Sequence, residues 1–422
     1  MFALTTVVVL FCLSYTFALF VVSRRRTGAL LPPPERLFFV FVVPCLNEEL
    51  VIERSLQRLL ALASDDCAVL VVDDASSDNT ARIVERYEGE RVWLLRRELP
   101  NARRGKGEAL NAAYRHLRYE RELPVPADHV IVCVVDADGR LADNALGEVA
   151  PYFRDPYAGA VQIGVRMYNA SSGVLPRLQD FEFVTFTEIF QRARQRLGSV
   201  GLGGNGQFTR LSALADLGDA PWTDCLTEDL ELGVRLRLAG WTNHYCPRTC
   251  VSQQAVGKLR RLVRQRSRWF QGHLQCWRQI APVLRARLPS KATFDLVFHL
   301  TGPAVVLLLT PPMLVFVGGV GALLLGATAA GGSLHALTAH GGRLVVLWYL
   351  LSFGLAPFYG FSYWLQARDT SLIKSVGIAH LFSVYSYLWL FAGWRAVFRI
   401  VMGRRGWAKT ARTAEVAIEV AT

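Results

Sequence analysis

A chain of 422 residues with 52% hydrophobic and only 19% charged side chains is more apolar than an ordinary soluble domain, where charge runs to roughly a quarter. Its net charge of +12 comes with no nucleic-acid motif, and its basic residues flank apolar segments or crowd between Lys258 and Arg287. That placement suits anionic lipid headgroups and phosphates, so a nucleic-acid partner is set aside.

The apolar excess lies at the two ends. Met1 to Val22 bears no charge and is long enough to cross a bilayer, which takes about 20 residues. Arg24-Arg25-Arg26 comes directly after it, whereas a cleaved signal carries its positive charge first. Residues 1–23 therefore read as an uncleaved anchor, and the positive-inside rule puts the residues after Arg26 in the cytoplasm. "LPPPE" (31–35) is a linker that cannot be helical throughout.

From 36 to 250 short apolar runs alternate with helical segments. Strands are expected at 37–44, 67–74, 91–97 and 129–138, with helices in "EELVIERSLQRLLAL", "NTARIVERY" and "KGEALNAAYRHL" between them. Such runs predict an α/β fold, a mostly parallel sheet with helices on both faces. Ligands bind outside the carboxyl ends of such strands. Here Asn47 and Glu48 follow the first run, Asp73 and Asp74 close the second, and Asp136 and Asp138 lie at the fourth. Two carboxylates two residues apart can converge on Mg²⁺ or Mn²⁺, hard cations that also hold phosphates. In "ASSDNT" Asp78 or Asn79 reads as a helix cap. "RRGKGEALN" presents Lys106 between Gly105 and Gly107 at a helix start, a place suited to phosphate.

"GLGGNGQFTR" (201–210) is either a flexible turn or a place where backbone approaches a ligand closely. "TEDLELGVRLRLAGW" (227–241) opens a helix with Glu228 and Asp229 and stops it at Gly240. Two acids behind a Thr serve equally as a first-turn cap or as a proton acceptor, and the stretch itself does not decide. Residues 251–290 carry the basic amphipathic helix "KLRRLVRQRSRWFQGHLQCW", of a kind that lies in a membrane interface. Residues 294–402 hold three further candidate spans, Leu296 to Gly326, Leu344 to Leu365 and Ile378 to Met402, before a basic tail at 403–422. Three single crossings would leave that tail outside, against the positive-inside rule, so one of these segments is expected to dip without crossing. The eight cysteines lack zinc-ligand spacing and read as buried free thiols.

In order, "VVDDASSDNT", "GKGEALN", "DAD", "TEDLELGVRL" and "QRSRW" resemble the membrane-embedded family 2 glycosyltransferases, the group of cellulose, chitin, hyaluronan and poly-N-acetylglucosamine synthases. The resemblance covers about Leu37 to Trp277 with the flanking apolar segments. It implies a GT-A fold and an inverting transfer of a hexose or N-acetylhexosamine from a nucleotide sugar, UDP-linked in this group. Asp73 and Asp74 would meet the nucleoside, with Pro44, Asn47 and Glu48 completing the pocket and Lys106 near the donor. Asp136 and Asp138 would bind the metal and diphosphate, and Asp229 would be the base, with Glu228 beside it. Arg268 would bind the diphosphate, while Gln265 and Trp269 would hold the acceptor. The second motif position is Arg266, a variation the motif tolerates.

These roles meet the needs of the chemistry. Glycosyl transfer requires a neutralised leaving diphosphate, removal of the acceptor proton and alignment of the reactants. The expectation is a processive synthase of a β-linked polysaccharide in the cell membrane, with a cytoplasmic catalytic domain and coupled export. The alternative is single transfer to a membrane lipid. A non-catalytic sensor would lack the acids, which are all present. The resemblance leaves room for a homo-oligomer or an export partner.

Overall fold

The computed structural model describes residues 2–25, 32–34, 36–62, 66–311, 342–367 and 369–404, with isolated helical positions between 314 and 325. After helix α1 (Phe2–Ser23) the four apolar runs form strands β1 (Phe38–Cys45), β2 (Cys67–Asp73), β3 (Val92–Arg96) and β4 (Val130–Val134). Every residue of β2 and β4 is buried, which accounts for their unbroken apolarity. All three pairings in the order β3-β2-β1-β4 are parallel. Helices α2 (Ile52–Leu62), α3 (Thr80–Glu85) and α4 (Lys106–Arg115) supply the crossovers.

The other half of the sheet departs from the expected parallel arrangement. It adds β5 (Arg140–Leu141), β6 (Ala158–Met167), β7 (Gln207–Arg210) and β8 (Thr242–Gln253), giving the order β3-β2-β1-β4-β7-β6-β8-β5. Strand β7 runs antiparallel to both β4 and β6, and β5 is antiparallel to β8, while β6 and β8 are parallel. The sheet is therefore mixed. Its central strand β7 is fully buried yet polar, because Arg210 donates inward to the carbonyls of Ala158, Phe153 and Asp155 at 3.0 Å each. Hydrophobic patterning does not register such a strand.

The remaining helices are α5 (Ala145–Val149), α6 (Val174–Thr185), α7 (Arg192–Leu197), α8 (Leu211–Ala215), α9 (Glu228–Leu238), α10 (Leu259–Gln275), α11 (Ile280–Arg285) and α12 (Ser290–Leu308). They are followed by α13 (Gly342–Phe353), α14 (Ala356–Gln366), α15 (Leu372–Tyr385) and α16 (Leu388–Val401). The core has two layers. Phe39, Phe41 and Val43 of β1 face Ile52, Leu56 and Leu59 of α2. The alternate residues Phe38, Val40 and Val42 share the opposite layer with Leu110 and Tyr114 of α4 and Leu232 and Leu236 of α9.

Among the described residues two helical stretches are long and apolar enough to span a bilayer, Thr6–Ser23 and Leu372–Val401. The expected span Leu344 to Leu365 is instead two helices of 12 and 11 residues, broken at Gly354 with Pro357 starting the second. At about 1.5 Å per residue neither half alone reaches the ~30 Å of a hydrocarbon core, and the stretch Leu372–Val401 reaches it only as α15 and α16 taken together, 14 residues each. The expected span Leu296 to Gly326 lies partly outside the described residues, as does most of the tail.

Candidate active site

Three parallel strand ends bring the predicted acids together. Asn47 and Ala75 follow β1 and β2 with φ of 54° and 61°, a left-handed backbone uncommon outside glycine. Asn47 clamps the two loops: its amide donates to Ser76 Oγ at 2.9 Å and its side-chain oxygen accepts from the Ser77 amide at 2.7 Å. The Glu48 amide donates to Thr80 Oγ1 at 2.7 Å, and Pro44 is the one half-buried residue of β1. Asp78 caps α3, accepting from the Thr80 amide at 3.0 Å, while Asn79 makes no capping bond. Asp73 Oδ1 accepts from the Ser76 amide at 3.3 Å. Asp74 is buried and ion-paired with Arg97, a partner from beyond β3 that sequence reasoning missed. A cavity of about 630 Å³, lined by Arg97, Asn101, Arg104, Glu108 and Arg115 among others, opens beside this pair.

Lys106, the first residue of α4, places Nζ 2.6 Å from Asp136 Oδ1 and 3.2 Å from the Gly204 carbonyl. Burial works against its charge, but Asp136, Glu228 and Asp229 outweigh that and raise its pKa. The site is thus a negative field that stabilises a cation. Asp138 is fully buried, with Oδ2 accepting from the Gln254 amide at 3.0 Å. Asp136 and Asp138 are hard oxygen donors two residues apart, of the chemistry that suits Mg²⁺ or Mn²⁺. Among the described residues no group of three or more His, Cys, Asp or Glu is arranged for a metal, so diphosphate oxygens and water would complete the shell.

Glu228 and Asp229 open α9, half-buried, and Thr227 makes no capping bond with its side chain. Asp229 Oδ1 accepts from the Leu230 amide at 2.8 Å, so it does contact the first turn. Its other oxygen faces Gly204, where an added Cβ would stand 2.6 Å from Oδ2 and where φ is +69°. The glycine cluster is what lets the chain pass this close to the carboxylate. Burial raises the pKa of Asp229. Burial and then the charge of Asp229 lift Glu228 to about 7, against the pull of Lys106 and Arg268. Burial thus makes both carboxylates more basic than exposed ones, the direction that favours proton acceptance. The third acid of the turn, Glu231, has a different task. It is buried and receives Arg278 Nε at 2.6 Å and Gln279 Nε2 at 2.7 Å, and these bonds with that of Thr223 hold its pKa down despite burial.

Helix α10 brings Arg268 close enough to Glu228 for its charge to act there, while Trp269 meets Phe183 edge-on at 5.9 Å and Gln265 is half-buried on the same helix. An added Cβ at Gly272 would lie 2.5 Å from the Thr227 backbone nitrogen, so this helix rests directly on the start of α9. The Leu226 amide donates to Gln275 Oε1 at 2.9 Å across the same seam. All eight cysteines are free thiols, six of them buried.

A mixed α/β sheet with acids at its strand ends and a second acidic turn on α9 is the architecture of GT-A transferases. Residues 33–272 match the family described as glycosyltransferase like family 2, and the chain belongs to that family. It is 32% identical over 309 residues to a β-monoglucosyldiacylglycerol synthase of Trichormus variabilis, covering 71% of this chain and 61% of that relative. It is 31% identical over 241 residues to a poly-β-1,6-N-acetyl-D-glucosamine synthase of Staphylococcus aureus, covering 55% of this chain and 53% of the other. The chain thus spans between 53% and 61% of the length of these relatives. In fold it is similar to a mannosyltransferase of Pyrobaculum calidifontis solved with GDP-Man and Mn²⁺, with TM-score 0.59, 19% identity, and coverage of 92% of this chain and 97% of that one.

Proposed function

We propose that this protein is an inverting glycosyltransferase that moves one sugar from a nucleotide sugar to a lipid acceptor at a membrane face. The observation that carries the reading is the placement of Asp229 against Gly204, beside the Lys106–Asp136 ion pair. A proton acceptor and a phosphate-neutralising cation then sit on neighbouring walls of one site. The nucleoside lies against Asp73, Asp74, Pro44, Asn47 and Glu48, and the diphosphate lies near Lys106 and Arg268. The acceptor oxygen bonds to the anomeric carbon as its proton passes to Asp229. The bond from that carbon to the phosphate oxygen breaks on the opposite side, and the nucleoside diphosphate leaves with inversion. A divalent cation on Asp136 and Asp138 would add charge neutralisation at the diphosphate. Trp269 offers the acceptor an apolar ring face, with Gln265 beside it.

Two observations favour a lipid acceptor over the polysaccharide expected from the motifs. A relative matched over 71% of this chain is named a β-monoglucosyldiacylglycerol synthase, so its named product is a sugar-bearing lipid. The helix bearing Trp269 is bonded through Arg266 and Glu182 to Trp389 of the apolar α16, a link that supports an acceptor drawn from the membrane. Extension of a β-linked polymer is the second reading, favoured by the polysaccharide synthase match. Both place the catalytic domain on the cytoplasmic side of the cell membrane. The test uses protein in lipid nanodiscs with Mg²⁺ or Mn²⁺, a panel of UDP- and GDP-sugars, diacylglycerol, and Asp229→Asn as control. One sugar on the lipid, lost in the variant, supports the proposal. A ladder of oligosaccharides would replace it with the second reading, and absence of any transfer would refute both.

A further inference from the structure

The residue under the acceptor platform is the motif position that varies. Arg266 is 1% exposed, and its guanidinium carbon lies 4.1 Å from the ring centroid of Trp269. The rings of Trp389 and Phe183 stand 5.4 and 5.6 Å from the same carbon. Phe183 also meets Trp269 edge-on, at 5.9 Å and 86°. Arg266 Nη2 is 2.5 Å from Glu182 Oε2, while Nε and Nη1 are buried with no hydrogen-bond partner among the described residues. Those two donors therefore face aromatic π clouds, where a desolvated cation is strongly held. Glu182 is itself fixed, accepting from Tyr385 OH at 2.9 Å and from Trp389 Nε1 at 2.8 Å.

We infer that Arg266 is a positioning residue for acceptor binding: it covers one face of the Trp269 indole and fixes the ring, leaving the opposite face to stack on the acceptor. The inference rests on the transferase reading above. An indole on a helix turns about two side-chain bonds, and an acceptor that must order it binds more weakly. Here the cation, the Phe183 edge and the Glu182 anchor have already ordered it. Because Glu182 also holds α15 and α16, the platform keeps one register against the apolar helices that present the acceptor. None of these contacts involves Lys106, Asp136 or Asp229, so the effect belongs to the acceptor and not to the donor.

The test compares wild type, Arg266→Lys and the double variant Arg266→Met with Glu182→Gln, which removes the ion pair as a unit and leaves no unpaired buried charge. Each is assayed full-length in nanodiscs for the acceptor KM with diacylglycerol, kcat, donor KM and acceptor-independent hydrolysis of the donor. The expected result is an acceptor KM about tenfold higher in the double variant and about threefold higher in Arg266→Lys, the loss of a modest cation–π contact. Hydrolysis and donor KM stay within about twofold under the same reasoning. An unchanged acceptor KM in either folded variant overturns the inference, as does a parallel fall in hydrolysis, which marks a general structural role. If the double variant does not fold, Arg266→Lys alone decides. Wild-type protein that transfers to no acceptor refutes the functional reading along with it, whereas wild-type transfer with unchanged KM values refutes only the role of Arg266.

Discussion

Asp229 is held between two demands, a first-turn bond to the Leu230 amide and close contact with Gly204. Asparagine keeps both contacts and cannot take a proton. Asp229→Asn is therefore expected to lower transfer by about 10²- to 10⁴-fold with donor affinity preserved, read as nucleoside diphosphate release and by calorimetry. Gly204→Ala acts from the other side, since its Cβ would meet Oδ2 at 2.6 Å in a backbone at φ +69°. The displaced carboxylate should cost kcat at least about tenfold. A wild-type rate in that variant would mean the approach is not needed for transfer. The pH dependence has a defined sign. Glu228, raised to about 7, holds its proton in the folded chain where the unfolded chain has lost it. Its contribution to stability therefore declines as pH rises from the unfolded value through 7. Glu228→Gln should raise the melting temperature at pH 8 relative to wild type, with little gain at pH 4. Equal melting shifts at both pH values would show that Glu228 does not carry this proton. Asp73, Asp74, Asp136 and Asp138 stood out in the sequence because each lies at the end of an apolar run, a local pattern, whereas Glu228 and Asp229 open a helix and stood out only through the ordered motifs. Arg97 on Asp74 and Arg278 on Glu231 did not, because each partner arrives from a distant segment and its own neighbours give no sign of it.

At the scale of elements, α6 and α7, joined by the π-helical turn Phe186–Gln191, form the seam between the sheet and the apolar helices. Asp180 takes Arg166 of β6 at 3.0 and 3.1 Å and accepts from Tyr363 of α14 at 2.9 Å. Glu182 reaches α15 and α16, and Arg194 meets Asp295 of α12 at 3.0 Å. A sequence reading finds α10 by its arginines, but this seam carries its acids singly, each paired with residues far along the chain. Strand β7 escaped for a related reason, its polar side chains being satisfied inside the sheet. The seam between α10 and α9 offers a direct test. A Cβ at Gly272 would lie 2.5 Å from backbone at Thr227, which cannot rotate away. Gly272→Ala is expected to destabilise by about 1–3 kcal/mol, the usual cost of overpacking, and to depress transfer by shifting Trp269 relative to Asp229. Thermal unfolding in nanodiscs beside kcat would check it, and unchanged values for both would mean the helices can part without consequence.

For the whole molecule, the question is what covers the apolar faces that the sheet does not. On α1, Leu19 packs against Ile189 and Ala193, yet Val7 is 62% exposed and Phe11 49%. On α16, Ala392 and Ala396 are buried while Phe391, Phe398 and Val401 are 69%, 58% and 77% exposed. Each helix is thus tied inward along one side and presents large side chains along the other, as a bilayer requires and water disfavours. The inward ties are polar and specific: Tyr15 donates to Asp295 Oδ1 at 2.7 Å, and Arg24 donates to the Glu188 carbonyl at 2.9 Å. Helices held this way should insert with the catalytic domain attached at a fixed height. The protein is then expected to stay in the membrane pellet after alkaline carbonate and high salt. Arginine at both Val7 and Phe11 should release much of it, since each charge at a span's centre costs about 2.5–3.5 kcal/mol. Neither position touches the sheet, so the released protein should still bind nucleotide sugar. Complete extraction of the wild-type chain by carbonate would instead make these helices a docking surface on the membrane, with the acceptor reached from above and not alongside.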